Sequence, residues 1–141
     1  MSFLKLLLPA LICTIVFAGC TSNYGKKYKL DDRHTVFYKG EGLEETHAKK
    51  LADYLKAQNY FLDTISSSVQ LTKNKDTFNI NFVVNETKLI EGYELKFLLF
   101  GGFISEMVFD KAPVTIQLTN NRLVPFKNLG YASPISAEKT E

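Results

Sequence analysis

The residues able to do covalent, metal or proton-transfer chemistry are few. They are two cysteines (Cys13, Cys20), two histidines (His34, His47) and small groups of serines and carboxylates. A zinc centre needs three or four ligands in tetrahedral array, and the chain contains no His-x-x-x-His or His-x-x-Glu pair. His34 borders the first expected strand, and His47 lies one position off the apolar stripe of the first expected helix. Both read as surface or helix-edge packing residues. A serine nucleophile needs an exposed, strained turn and a base. Ser66-Ser67-Ser68 lacks flanking glycines, and Ser105 falls within a helix, where a hydroxyl back-bonds to the preceding turn. The carboxylates Asp31-Asp32, Glu41, Glu44-Glu45 and Glu86 read as solvated faces and helix starts. A pair brought together from distant positions, as in a glycosidase, is the enzymatic alternative. Gly40-Glu41-Gly42 precedes a helix as a phosphate-binding turn would, yet it lacks a third glycine and the lysine that such loops carry. The expectation is a non-enzyme with no cofactor and no metal.

Cys20 is different, because the segment before it is built to deliver it. Lys5 gives a positive charge near the start, Leu6 to Phe17 is an apolar run, and Ala18-Gly19 are small. A charged start, a short apolar stretch and small residues at a cleavage point describe an export signal. With the cysteine directly after it, Phe17-Ala18-Gly19-Cys20 resembles the lipobox of bacterial lipoproteins, with Phe17 where leucine is usual. The resemblance covers only the first twenty residues or so. It implies cleavage between Gly19 and Cys20, diacylation of the Cys20 thiol, and a mature protein held to a bacterial cell membrane by lipid. It also implies outer-membrane delivery in a Gram-negative source, since Thr21 is not the aspartate that retains such proteins at the inner membrane. A retained transmembrane helix or a buried first helix is the competing reading. The apolar run is about a dozen residues where a span needs ~20, and Pro9 interrupts it.

The remaining chain, from Cys20 to Glu141, has the length of one small domain and a tether. Its formal charge of +2 falls by one when Lys5 is removed, too even a balance for a nucleic-acid binder, which carries a basic excess on one face. With Cys13 cleaved away and Cys20 lipidated, the folded body has no thiol for a disulfide or a metal, so apolar burial must hold it.

Periodicity divides that body as follows. Residues 20–33 read as a lipidated tether, with Lys26, Lys27, Lys29 and Arg33 suited to anionic headgroups. Residues 34–129 read as an α+β domain and 130–141 as a disordered tail. Thr35–Tyr38 is a β-branched and aromatic strand. Ala48, Leu51, Ala52 and Leu55 place one apolar stripe on a helix from about Leu43 to Asn59. Val69–Thr72 and Phe78–Val84 alternate as the two strands of a hairpin. A second helix runs from about Glu91 to Phe109, with Gly101-Gly102 at its middle. Pro113 opens a strand carrying Val114, Ile116 and Leu118, and Leu123–Phe126 adds a short edge strand, consistent with Pro125. The order βαββαβ predicts a split-βαβ, ferredoxin-like antiparallel sheet with both helices on one face. The other face would carry Gln70, Thr72, Asn79, Asn81, Thr115 and Gln117.

Two surfaces are then available for binding: that polar sheet face and the second helix. The helix is more apolar than a one-sided core contact requires, and Phe97, Phe100, Phe103 and Ile104 are its candidate partner-binding residues. The expectation is a lipid-anchored, non-catalytic binding or assembly module of the cell envelope. Its partners would be the membrane, through the N-terminal lipid, and an unidentified envelope protein. The alternatives are a small carboxylate-dependent envelope hydrolase and an exclusion- or immunity-type lipoprotein.

Overall fold

The structure is a computed structural model that describes residues 23–135. The expected signal segment, the Gly19–Cys20 cleavage point and the lipidated Cys20 lie outside the described residues, as does the end of the expected tail. The elements are β1 (Lys26–Lys29), β2 (His34–Lys39), α1 (Glu45–Ala57), β3 (Ser67–Asn74), β4 (Thr77–Val83), a 3-10 turn (Glu86–Lys88), α2 (Tyr93–Val108), β5 (Val114–Thr119) and β6 (Pro125–Ala132). Among the described residues no helix is long and apolar enough to cross a membrane.

The protein is α+β, but the sheet is not the ferredoxin-like one expected. It has six strands in the order β1-β2-β3-β4-β5-β6. β1–β2, β3–β4 and β5–β6 pair antiparallel, while β2–β3 and β4–β5 pair parallel. Each helix therefore joins two strands that lie side by side, instead of stepping over a strand still to be inserted. The sheet is mixed, not antiparallel. Both helices do pack on one face, in contact with each other as well as with the sheet.

Two further expectations change. β1 falls inside the stretch read as tether, so the fold begins at Lys26. β6 runs on to Ala132, so residues 130–132, expected in the tail, belong to the sheet.

The alternation that defined the strands places their apolar residues on the helix side. Val36, Val69, Phe82 and Leu118 form one row across the sheet, and Tyr38, Leu71, Ile80 and Ile116 the next; all eight are buried. The α1 stripe of Ala48, Leu51, Ala52 and Leu55 is fully buried against them. Burial at roughly 25 cal/mol per Å² of apolar area is the main stabilising term in a body with no disulfide. α2 approaches the sheet at its glycines. A β-carbon on Gly101 would lie 2.7 Å from Ile116 Cδ1 and 2.8 Å from Ala132 Cβ, and one on Gly102 would lie 2.4 Å from the Ser133 carbonyl oxygen. The pair is thus a closely packed contact with β5, β6 and the segment after it.

Candidate functional site

The face of the sheet away from the helices carries the side chains that alternate with the core. Cross-strand neighbours form one continuous row, Lys27–Phe37–Gln70–Asn81–Gln117–Asn128, and a second, Lys39–Thr72–Asn79–Thr115–Tyr131. Directly opposed residues share a face, so this surface holds four neighbouring carboxamides and two threonine hydroxyls around a cavity of about 360 Å³. Thr72, Asn79, Asn81, Thr115, Gln117, Asn128 and Gly130 line it, and none of them is ionisable.

Hydrogen bonds fix how the floor is presented. Gln70 Nε2 donates to the Tyr24 carbonyl at 3.0 Å, and Asn81 Nδ2 donates to Gln70 Oε1 at 2.8 Å. The relay turns Asn81 Oδ1 the other way, where it is buried without a hydrogen-bond partner among the described residues. Thr115 Oγ1 donates to Asn79 Oδ1, and Asn128 Oδ1 accepts from the Gly130 N–H at 2.9 Å. Each leaves a carboxamide NH₂ to donate. Tyr131 stands at the margin, 54 % exposed.

A larger cavity of about 770 Å³ opens at the other end of this face, between Tyr24, Phe37, Ser66–Ser68, Val83, Leu123 and Phe126. Its wall includes the chain's route into the fold. Gly25, at φ 94°, turns the backbone where a side chain would strike the Tyr38 carbonyl. Tyr24 then lies edge-on to Phe37 with ring centroids 5.4 Å apart, and the Asn23 carbonyl accepts from Lys39 Nζ at 2.7 Å. The segment leading back toward Cys20 therefore meets the sheet on its open face.

The expected partner-binding residues of α2 divide. Ile104 is fully buried in the core, so its assignment to the surface is corrected. Phe97 and Phe100 are half-buried and pack on Phe82, at centroid distances of 5.2 and 5.8 Å. Only Phe103 faces outward. It belongs to a row spaced by four, with Leu95 63 %, Leu99 46 %, Phe103 45 % and Met107 68 % exposed. Residues four apart lie one above another on a helix, so this is a continuous apolar ridge. The aromatic stripe of α2 draws the eye to the wrong side of the helix, whereas the i+4 spacing of Leu95, Leu99, Phe103 and Met107 was open to inspection.

The histidines also differ from expectation. His34 is fully buried, not at the surface. It stacks on Phe61 at 4.8 Å, and its Nδ1 lies 2.7 Å from Asp31 Oδ2. Its Nε2 faces the Leu62 and Ile65 carbonyls at 2.8 and 2.9 Å. Both ring nitrogens thus have oxygen partners, a carboxylate on one side and two backbone carbonyls on the other. The hydrogen bond from His34, with a second from the Arg33 backbone, lowers the Asp31 carboxyl to about 2. His47 closes the start of α1, its Nδ1 accepting the Glu44 N–H at 3.1 Å.

Ser105 Oγ donates forward to the Ala112 carbonyl at 2.7 Å, not back into its own helix. Glu41, Glu44, Glu45 and Glu86 are exposed, and neither of the two cavities is lined by two carboxylates. Among the described residues no group of three or more His, Cys, Asp or Glu could hold a metal ion.

A family model described as AF_1994_N, family N-terminal domain, matches residues 27–129, most of the chain. The chain belongs to the AF_1994_N family. The matched stretch runs from the first strand into the last, so the family unit and the folded domain coincide. No curated protein and no solved structure matches the chain.

Proposed function

We propose that the protein is a lipid-anchored, non-catalytic binding or assembly module of the bacterial cell envelope. In this reading Cys20 carries the lipid, and the outer ridge of α2 docks on an envelope protein. The observation that carries it is the ridge itself, Leu95, Leu99, Phe103 and Met107 standing in solvent on a helix whose other side is already packed. Contiguous apolar surface of this kind marks an interaction site.

The anchor supports the choice of partner. Asn23 is three residues from Cys20, a reach of about 10 Å at ~3.3–3.6 Å per residue. The chain arrives on the open face of the sheet, at Tyr24 and Phe37, and the helices lie on the opposite face. A domain held this closely turns α2 away from the bilayer, toward other proteins of the envelope. Lys27 and Lys29 of β1 pair with Phe37 and Thr35 on the open face, where each basic residue near an anionic surface adds about 1 kcal/mol. Tethering raises the effective concentration of the domain at its partner without any further contact.

The test is site-specific photo-cross-linking in the native cells. A cross-linker at Leu99 is expected to give one discrete protein adduct that disappears when Leu95→Asp and Phe103→Asp are introduced. No discrete adduct, or the same adduct from Lys50 on the exposed side of α1, would contradict the docking surface. Turnover of a cell-wall or lipid substrate by the purified protein would contradict the non-catalytic reading.

A further inference from the structure

We propose that the carboxamide cluster on the open sheet face is a binding site for a neutral saccharide. This is a second site, and it rests neither on the lipid anchor nor on the partner of α2. The fold leaves a buried polar group on this face unsatisfied. Asn81 is 8 % exposed, and its Oδ1 is buried with no partner among the described residues. A buried acceptor left without a donor is costly, and native structures rarely keep one without a use. Here its orientation is enforced: Asn81 Nδ2 is committed to Gln70, whose own NH₂ is committed to the Tyr24 carbonyl. The acceptor is therefore turned away from Gln70, and Asn81 lines the cavity together with Thr72, Asn79, Thr115, Gln117 and Asn128.

The chemistry of that lining selects the ligand. It offers donors at the Asn79 and Asn128 NH₂ groups, a further carboxamide and hydroxyl at Gln117 and Thr72, and, just beneath its surface, the unpaired acceptor of Asn81. No ionisable side chain lines the cavity, so its walls offer a phosphate or carboxylate no countercharge. A ligand that both donates and accepts at closely spaced neutral groups fits, which is the character of sugar hydroxyls and of an acetamido substituent. Tyr131, exposed beside Thr115 at the margin, supplies an apolar ring on which the C–H face of a pyranose can rest. Preformed sites of this kind rely on a few placed polar groups for orientation. The same chemistry could be presented by a free glycan chain or by the headgroup of a neutral glycolipid.

The experiment uses the full chain purified in detergent, titrated with tetra-N-acetylchitotetraose and with maltotetraose while side-chain amide NMR resonances are followed. A parallel arm uses vesicles of phosphatidylcholine with and without digalactosyl diacylglycerol. The expected result is a saturable shift of the Asn79, Asn81, Gln117 and Asn128 amides with at least one probe. Affinity should fall tenfold or more in Asn81→Leu and severalfold in Asn128→Ala. Asn128 is exposed on the edge strand, so its variant keeps the test clear of folding defects. A response to soluble sugar identifies a glycan, and a response only to the glycolipid vesicles identifies a headgroup. No response to any probe at millimolar concentration, or equal binding by both variants and the parent, would overturn the proposal.

Discussion

A β-carbon on Gly101 would stand 2.7 Å from Ile116 Cδ1, well inside van der Waals contact. Ordinarily a glycine inside a helix costs about 1 kcal/mol relative to alanine, so Gly101→Ala would be expected to stabilise α2. Here the added methyl also meets Ala132 Cβ at 2.8 Å, and overpacking of a well-filled core costs about 1–3 kcal/mol. Gly101→Ala is therefore expected to lower Tm by several degrees. Ile116→Val, combined with it, should recover part of the loss, giving a non-additive pair. Thermal unfolding of the two single variants and the double variant checks this.

Adjacent positions on α2 should respond in opposite ways. Ile104 is fully buried and Phe103 is 45 % exposed. Ile104→Ala is expected to cost about 2–5 kcal/mol through lost burial and a residual cavity. Phe103→Lys should stay within about 0.5 kcal/mol of the parent while abolishing the cross-link from Leu99. Urea unfolding of both variants reads the first contrast directly.

The Asp31–His34 contact makes stability depend on acid. The Asp31 carboxyl is lowered from 3.8 to about 2, chiefly by the His34 hydrogen bond. A group whose folded-state pKa is depressed binds fewer protons in the folded state. Its contribution is complete above the unfolded value and drains away as pH falls from about 3.8 toward 2. Asp63 is shifted in the same direction by Lys56 and adds to the same window. Urea midpoints between pH 6 and pH 2 should show the gap between the parent and Asp31→Asn closing as the solution is acidified. A gap that does not change with pH would contradict the assignment.

His34→Ala should cost about 1–3 kcal/mol, because it removes a fully buried ring whose Nε2 holds the Leu62 and Ile65 carbonyls, and loss of a hydrogen-bond partner at a buried group costs about 1–3 kcal/mol. The variant also loses the stack on Phe61. Equilibrium unfolding at pH 7 measures this.

How far these features could be read beforehand depends on how local their causes are. The strand alternation of Phe78, Ile80 and Phe82 and the α1 stripe are local, and both lie where expected. Side-chain alternation says which face a residue takes but not which strand lies beside it, so the sequential sheet order was not legible. β1 escaped because Lys26-Lys27-Tyr28-Lys29 is a solvated edge with only Tyr28 half-buried, and an edge strand needs no apolar period. The burial of His34 depends on carbonyls 28 and 31 residues away, beyond any local pattern. The carboxamide face was visible as the polar half of the alternation, but the Tyr24–Gln70–Asn81 relay that aims it was not, since it needs the register of three strands and a turn at Gly25.

Attachment through Cys20 is the central claim, and intact-mass and peptide mass spectrometry of the protein isolated from its own membranes tests it most directly. The account predicts a chain beginning at Cys20 whose first peptide carries a diacylglyceryl group, with Cys20→Ser yielding neither cleavage nor lipid. A chain retaining residues 1–19, or one starting at Cys20 with a free thiol, would contradict it.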